Sequence, residues 1–225
     1  MEITGARILL VGATGGFGSA LARSLSSAGA DLVVASRDSA KLAQIAAEVG
    51  AIAIPSDLTK DGAPEVLVTS ASTVLGGLDV VVCAIGVVAF GPATDVDDET
   101  LEQLFRVNTL APIRLSRAAL AVLPRGGMIV NVSAIVATMP TAGMAAYSAS
   151  KAALTAFDQA IAREGRRVGI RVLDVRPPHM ETGLVTRAIA GEAPKLALGK
   201  DPGEMADRVV VAMAYERDVV DWDDV

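Results

Sequence analysis

Tyr147 and Lys151 stand four positions apart in the segment YSASK. On a helix this spacing places both side chains on one face. A free phenol has a pKa of about 10 and is a poor acid–base group at neutral pH. An ammonium group about 4 Å away, at an effective dielectric constant of about 20, would lower that pKa by about three units. The pair predicts a proton-transferring tyrosine, although a core tyrosine near a surface lysine has the same spacing.

A glycine-rich loop follows the first apolar run, where ARILLVGA leads into GATGGFG at residues 12–18. Such a loop between a strand and a helix holds the pyrophosphate of a dinucleotide, because glycines permit close approach and the helix start offers free N–H groups. The glycines fit two spacings, Gly12-Gly16-Gly18 and Gly12-Gly15-Gly18, so the loop alone leaves the kind of nucleotide enzyme open. The residues expected to bind here are Gly12, Thr14, Gly16, Phe17 and Gly18.

The residues after the second and third apolar runs bear on the choice of cofactor. NAD sites place an acidic residue where this chain has Ser36, and Arg37 follows it. A guanidinium suits the 2′-phosphate of NADP, so we expect NADP(H), unless Arg37 is a solvated residue partly neutralised by Asp38. In SDLT, Asp57 is a candidate acceptor for the adenine amino group, with Leu58 beside it. Asp57 fits a turn or a helix cap equally well.

Short apolar runs alternate with longer helical patterns along the chain. The apolar runs span residues 6–13, 31–36, 51–56, 78–84, 127–133 and 170–176. The helical patterns span residues 16–28, 39–49, 63–75, 97–123, 147–168 and 201–216, the last with Asp201 as N-cap. This repetition predicts an α/β fold with one doubly wound parallel sheet, helices on both faces and right-handed crossovers, of the Rossmann type. We expect a single domain over residues 1–225.

Composition limits the classes of function. The chain has 225 residues, 52% of them hydrophobic, and a net charge of −6, which argues against nucleic-acid binding because nothing supplies a basic face. Cys83 is the only cysteine, so no intramolecular disulfide can form and a reducing compartment is expected. The N-terminus lacks a signal-peptide pattern, and no apolar run reaches the roughly 20 residues of a membrane span. We therefore expect a cytoplasmic protein without membrane or metal binding.

These motifs together resemble the short-chain dehydrogenase/reductase family, in its compact single-domain branch. The resemblance spans roughly residues 6–215 and rests on GATGGFG, SDL, FRVNTLAP, NVSA, YSASKAAL and RPPHMET in this order. It implies a bound nicotinamide cofactor and the first glycine spacing, because the branch with the other spacing is normally much longer. Tyr147 resembles the family's general acid, Lys151 the residue that binds the nicotinamide ribose and lowers the tyrosine pKa, and Asn108 the holder of a relay water. The resemblance also implies cofactor contacts by Gly86, Pro177 and Thr182.

The chain departs from the family pattern at three places. Cys83 begins CAIG where the family has Asn-Asn-Ala-Gly, and Pro177-Pro178 replaces Pro-Gly. The family serine commonly lies thirteen residues before the tyrosine, which is Ala134 here, whereas Ser133 lies fourteen before it. With regular strand alternation, Ala134 faces the nicotinamide and Ser133 packs behind it. A bulge would instead turn Ser133 into the site, so Ser133 stays a candidate catalytic residue.

The expected function is NADPH-dependent reduction of a ketone or aldehyde to an alcohol, or the reverse oxidation. The alternative is a non-catalytic NADP-binding sensor or regulator, which Ala134 motivates. Two helical patterns are apolar on more than one side, and members of the family often pair such helices in dimers and tetramers. We therefore expect a homodimer or homotetramer. We expect the family's final strand to be missing or truncated and His179 to be a substrate contact or a plain turn residue. An apolar substrate pocket is expected from Ile135, Val136, Met139, Met144, Met180 and Leu184.

Overall fold

A computed structural model of the chain describes residues 1–215 and 219–221. Within these residues the strands are β1 Arg7–Val11, β2 Asp31–Ser36, β3 Ile52–Pro55, β4 Val80–Cys83, β5 Met128–Val132, β6 Arg171–Arg176 and β7 Val219–Asp221. They form one sheet in the order β3-β2-β1-β4-β5-β6-β7, and every neighbouring pair is parallel. The strand order reverses between β1 and β4, which confirms the doubly wound Rossmann-type sheet.

The helices cover both faces of this sheet. They are α1 Gly16–Ser27, α2 Ser39–Val49, α3 Ala63–Leu75, α4 Asp98–Phe105, α5 Ala111–Leu120, α6 Ala145–Val168 and α7 Pro202–Ala214. Alternate strand residues enter two separate cores: Ile8 and Leu10 pack with α1, α2 and α7, whereas Leu9 and Val11 pack with α3, α5 and α6. Burial on both faces explains why the strands are continuous apolar runs in the sequence.

One helix differs from the sequence-based expectation. The predicted helix 97–123 is divided into α4, a π-helical turn at Arg106–Leu110 and α5. Pro112 has no amide hydrogen, so the carbonyl of Asn108 lacks its regular donor four residues on, and the helix widens at this point. The final strand was expected to be missing or truncated: β7 is present with three described residues, and residues 216–218 and 222–225 of the acidic C-terminal segment lie outside the described part.

The ends of α7 and α2 follow local rules. Asp201 caps α7 by accepting from the backbone N–H groups of Gly203 and Glu204, and Pro202 occupies the first helical position, as predicted. Asp38 caps α2 in the same way through Lys41 N–H. The described residues contain no helix that is both long and apolar enough to cross a membrane.

Candidate active site

A cavity of about 950 Å³ opens along the carboxyl ends of the strands, across the point where the strand order reverses. Every residue expected to bind the cofactor lines this cavity, from the glycine loop at one end to Tyr147 and Lys151 at the other. Ser133 also borders it, and Asn108 lies just behind its wall. In open α/β sheets this crevice is the usual position of a bound ligand.

The glycine loop is closely packed at the positions of one spacing only. A Cβ on Gly12 would lie 2.7 Å from the Ala84 carbonyl oxygen, and one on Gly18 would lie 2.1 Å from the Gly12 carbonyl oxygen. A Cβ on Gly16 would meet the Thr182 carbonyl oxygen at 2.5 Å, whereas one on Gly15 would have its nearest neighbour at 3.3 Å. The packing therefore demands the Gly12-Gly16-Gly18 pattern that the family resemblance implies.

The start of α1 suits a phosphate. α1 begins at Gly16, its first turn carries no acidic residue, and no described side chain caps it. Its first N–H groups therefore keep their hydrogen-bonding capacity and the positive end of the helix dipole. The cavity, the glycine packing and this helix start together fit a dinucleotide pyrophosphate.

At the adenosine end, the Thr14 and Ser36 hydroxyl oxygens lie 2.6 Å apart and share a hydrogen bond. Arg37 is exposed and borders the cavity beside Ser36. Lys41, which the sequence analysis did not single out, joins it there from the first turn of α2, with its ammonium 3.4 Å from Asp38. Two cations on this wall favour an anionic group on the ligand.

Asp57 borders the adenosine end of the cavity. It also forms a turn, the alternative role that the sequence analysis gave it. Its Oδ1 accepts from the Thr59 N–H at 3.0 Å and from the Thr59 hydroxyl at 2.7 Å. Partial burial alone raises the pKa of Asp57, but the Thr59 hydrogen bonds and the charge of Arg37 outweigh it and lower the pKa. An ionised Asp57 is thus available as an acceptor beside buried Leu58.

Tyr147 and Lys151 lie near the start of α6, and both side chains are buried. The Lys151 ammonium donates to the Val132 carbonyl oxygen at 2.9 Å. Burial raises the pKa of Tyr147, which is opposite to the lowering expected from the four-residue spacing. Burial lowers the pKa of Lys151 to about 8, opposed by charge on Cys83, Asp174 and Asp158. Desolvation therefore dominates both groups in this state of the protein.

The side chain of Asn108 is fully engaged inside the protein. Its Oδ1 accepts from the Val87 N–H at 2.9 Å, and its Nδ2 donates to the Val87 carbonyl at 2.9 Å and the Ser150 hydroxyl at 3.0 Å. Asn108 thereby ties the loop after β4 to α6. Both amide hydrogens are thus used within the protein, and the side chain has no donor left for a relay water.

The structure corrects the catalytic assignment of Ser133. The Ser133 hydroxyl donates to Asp174 Oδ1, on the α6 side of the sheet, and its backbone N–H bonds to the Val175 carbonyl at 2.8 Å. Ala134 is extended, with φ −172° and ψ 159°, and packs in a small apolar cluster with Tyr147. Regular strand alternation thus continues past the end of β5, and it places Ala134 rather than Ser133 on the Tyr147 side.

The end of the cavity beyond Tyr147 is mostly apolar. Met139 does not line it, because its side chain is 66% exposed on the turn after Ile135–Ala137. Residues 183–200 lie across the mouth through two bridges, Ala89 to Ala190 and Met180 to Lys200. The expected pocket residues that do line the cavity are Ile135, Val136, Met144, Met180 and Leu184.

His179 also borders the cavity and is half-buried. Its Nε2 lies 3.5 Å from Glu181 Oε1, and its carbonyl oxygen accepts from the Lys200 N–H at 2.9 Å. Phe90 and Ile189, which the sequence analysis missed, line the cavity because the Ala89–Ala190 bridge joins two distant loops. No local pattern in the sequence signals that bridge.

Comparison with known proteins places these features in one family. The family described as short chain dehydrogenase matches residues 6–193. The chain is 34% identical over 184 residues to a cyclic-di-GMP-binding biofilm dispersal mediator protein of Escherichia coli K12, covering 80% of this chain and 75% of that protein. It is 33% identical over 218 residues to the ketoacyl reductase HetN of a Nostoc species, covering 94% of this chain and 76% of that one.

A solved structure shows the same architecture. A short chain dehydrogenase of Burkholderia cenocepacia, crystallised in complex with NADP, superposes with a TM-score of 0.83 at 29% identity. The superposition covers 95% of this chain and 92% of that one. The chain belongs to the short-chain dehydrogenase/reductase family.

The positions of Ser133 and Ala134 lead to a prediction. In a carbonyl-reduction assay we expect Ala134→Ser to raise turnover about 10-fold or more, since a restored donor stabilises the developing negative charge by up to a few kcal/mol. Ser133→Ala should leave turnover unchanged and lower the free energy of urea unfolding by about 1–3 kcal/mol, the range for a hydrogen bond to a charged group. Loss of turnover in Ser133→Ala, with no gain in Ala134→Ser, would contradict the observed orientation.

Proposed function

We propose that the protein reduces a ketone or aldehyde to an alcohol with NADPH, or catalyses the reverse oxidation, on an apolar substrate. The observation that carries the proposal is one continuous cavity with the glycine loop and α1 at one end and Tyr147 and Lys151 at the other. The nicotinamide cofactor supplies the hydride in this chemistry. The protein's residues then have to bind the cofactor, provide a proton and hold the carbonyl in an apolar pocket.

Tyr147 is suited to donate the proton. Because burial raises the pKa of its phenol, Tyr147 carries a proton at neutral pH and can deliver it to a carbonyl oxygen that gains negative charge. The same burial opposes the phenolate, which remains after the reduction and is the base in the reverse oxidation, so its negative charge has to be compensated in either direction.

Lys151 and Asn108 support this proton transfer. Lys151 carries a positive charge below a pKa of about 8, next to Tyr147 on the same helix, where it can bind ribose hydroxyls and stabilise negative charge on the phenol after the transfer. Asn108 ties the loop after β4 to α6 and so holds the helix that carries Tyr147 and Lys151 in place. The role of Lys151 matches that of the family residue at the same place in the motif.

The preference for NADP rests on charge. Arg37 and Lys41 border the adenosine end, and Ser36 occupies the position where an acidic residue would repel a 2′-phosphate. The Burkholderia cenocepacia relative was crystallised with NADP, which supports the same choice here. A 2′-phosphate between these cations would form charge-assisted hydrogen bonds.

A second candidate is a non-catalytic NADP-binding regulator. It is favoured by Ala134, which leaves the carbonyl oxygen without the serine donor, and by the Escherichia coli relative, which is named as a cyclic-di-GMP-binding mediator. The paired Tyr147 and Lys151 favour the enzyme. NADPH consumption with a panel of ketones separates the two: tight NADPH binding without turnover of any carbonyl compound would establish the regulator.

Tyr147→Phe tests the proposed acid. We expect cofactor affinity and folding to stay close to wild type and turnover of the best ketone to fall by at least about 10², the scale of general acid catalysis. The matched control is Tyr215→Phe, because Tyr215 is the other tyrosine of the chain and is 66% exposed. Tyr147 is not the acid if its phenylalanine variant reduces that ketone at the wild-type rate.

Arg37→Ala tests the cofactor preference. Calorimetry should show NADP bound more tightly than NAD by the wild type, and NADP weakened by about 1–3 kcal/mol in the variant, the cost of losing a charged hydrogen bond. NAD binding should change little, because NAD lacks the 2′-phosphate. The exposed Arg163 on α6 offers the control Arg163→Ala, which should alter neither affinity. Equal wild-type affinities for the two cofactors would refute the assignment.

A homodimer or homotetramer is the expected assembly. Leu101 on α4 is 39% exposed, Leu110 before α5 is 46% exposed, and α6 exposes Ala149, Ala156 and Ala160. Such apolar helix faces require further cover. Light scattering at micromolar concentration should report a dimer or tetramer, and Ala156→Glu should shift it toward monomer. A wild-type monomer under these conditions contradicts the expectation.

A further inference from the structure

A cluster of polar side chains is buried between α6 and the sheet, behind the active site. Strand alternation places Asn131 on β5 and Asp174 and Arg176 on β6 on the face that α6 covers. From α6, Thr155 and Asp158 follow Lys151 at helical spacing, so the three share one face. The exposed fraction is 3% for Lys151, 2% for Asp158 and 9% for Arg176. Ionisable groups so deeply buried are costly unless they are paired.

Asp174 is completely paired within this cluster. Its Oδ1 accepts from Ser133, and its Oδ2 accepts from the Thr155 hydroxyl at 3.0 Å and from Arg176 Nε at 2.8 Å. The negative charge of Asp174 and the positive charge of Arg176 thus compensate one another locally. Asp158 is left as the second acid of the cluster.

Asp158 has much weaker pairing. Its Oδ1 accepts from Asn131 Nδ2 at 2.6 Å, and the same amide group donates to the Ser116 hydroxyl of α5 at 3.1 Å. Two buried acceptors, Asp158 Oδ2 and Asn131 Oδ1, receive no hydrogen bond from the described residues. A carboxylate here would be a desolvated charge with one good partner, whereas a proton on Asp158 removes the charge and adds a donor. Burial accordingly raises the pKa of Asp158 to about 8, against the Asn131 hydrogen bond.

Asp158 lies two helical turns from Lys151, a separation of about 10 Å along the axis. The pKa of Lys151 is lowered to about 8 by burial, and the charges of Cys83, Asp174 and Asp158 oppose that lowering. Burial also raises the pKa of Cys83 on β4 to about 12, so its thiol is neutral in this range. Asp158 is therefore the neighbour whose charge changes over the same pH range as that of Lys151.

We propose that Asp158 is a positioning residue that acts through Lys151: it is a neutral acid in the resting site, and its ionisation keeps Lys151 positively charged as the pH rises. The site then retains the ammonium that holds the cofactor under mildly alkaline conditions. The inference rests on the proposed function in one respect only, namely that Lys151 contacts the cofactor. The linkage between Asp158 and Lys151 is a property of the protein without cofactor.

The first test measures NADPH affinity by calorimetry between pH 6 and 9.5. Asp158→Asn keeps the shape and hydrogen-bonding capacity of the neutral acid but cannot ionise. The loss of affinity at alkaline pH should begin about one pH unit lower in this variant than in the wild type, as expected for one charge about 10 Å away at an effective dielectric constant near 20. Glu164→Gln, an exposed change of the same charge on α6, should leave the profile unchanged. Coincident profiles for Asp158→Asn and wild type would overturn the proposal.

The second test needs no cofactor. Because the folded-state pKa of about 8 exceeds the unfolded value of about 3.9, Asp158 stabilises the fold fully below pH 3.9 and loses this contribution as the pH rises toward 8. The wild-type unfolding constant should therefore rise between pH 5 and 8 by up to about tenfold per pH unit more than that of Asp158→Asn. Parallel pH dependences of unfolding for the two proteins would refute a neutral Asp158.

A failure of the proposed linkage between Asp158 and Lys151 can be told apart from a failure of the proposed function. If Asp158→Asn does not fold, carbon-13 NMR of the wild-type aspartate carboxyls decides: a titration of Asp158 near pH 8 supports the proposal, and one near pH 4 overturns it. In the wild type, nitrogen-15 NMR of Lys151 follows the coupled ammonium directly. If both groups titrate as proposed but NADPH does not bind, then the proposed function fails and the linkage within the cluster stands.

Discussion

The hydrogen bond between the Lys151 ammonium and the Val132 carbonyl oxygen, at 2.9 Å, joins α6 to the carboxyl end of β5. It forms only because α6 lies close against β5 and β6, and that packing buries an ammonium group, which costs several kcal/mol unless its surroundings compensate. The position of Tyr147, one turn earlier, follows from this docking.

The same docking explains why the Ser133 hydroxyl is bonded to Asp174 although Ser133 borders the cavity. A helix that brings Lys151 to the sheet also covers the strand face that carries Asn131, Ser133 and Asp174, and polar groups in that layer must satisfy one another. The Ser133 hydroxyl donates to Asp174. The next residue, Ala134, points to the opposite side of the strand and packs with Tyr147. The serine that could act as a donor to the substrate is thus bonded within the buried polar layer behind the site.

The sequence predicted the sheet, its alternation with helices and the residues around the cavity, because those depend on periodicity and on glycine chemistry, which are local. The loop alone left two glycine spacings open and the family resemblance selected Gly12, Gly16 and Gly18, the positions where the structure places another atom less than 3 Å from an added Cβ. The break of helix 97–123 was less visible, although Pro112, which lacks an amide hydrogen, lies inside the predicted helix. The exposed Met139 and the loop contact between Ala89 and Ala190 depend on tertiary packing that no local pattern records.

The pKa of Tyr147 shows the limit of reasoning from spacing. The four-residue spacing on a helix predicts that Lys151 lies close to Tyr147 and lowers the pKa of the phenol. Burial has the opposite effect and outweighs it, because a buried phenolate loses its hydration. Burial also lowers the pKa of Lys151 to about 8, which weakens the one positive charge that could stabilise a phenolate. Burial favours the neutral forms of both Tyr147 and Lys151. The phenol therefore keeps its proton until a carbonyl oxygen accepts it. The burial of α6 against the sheet therefore sets the protonation of the two groups as well as their geometry.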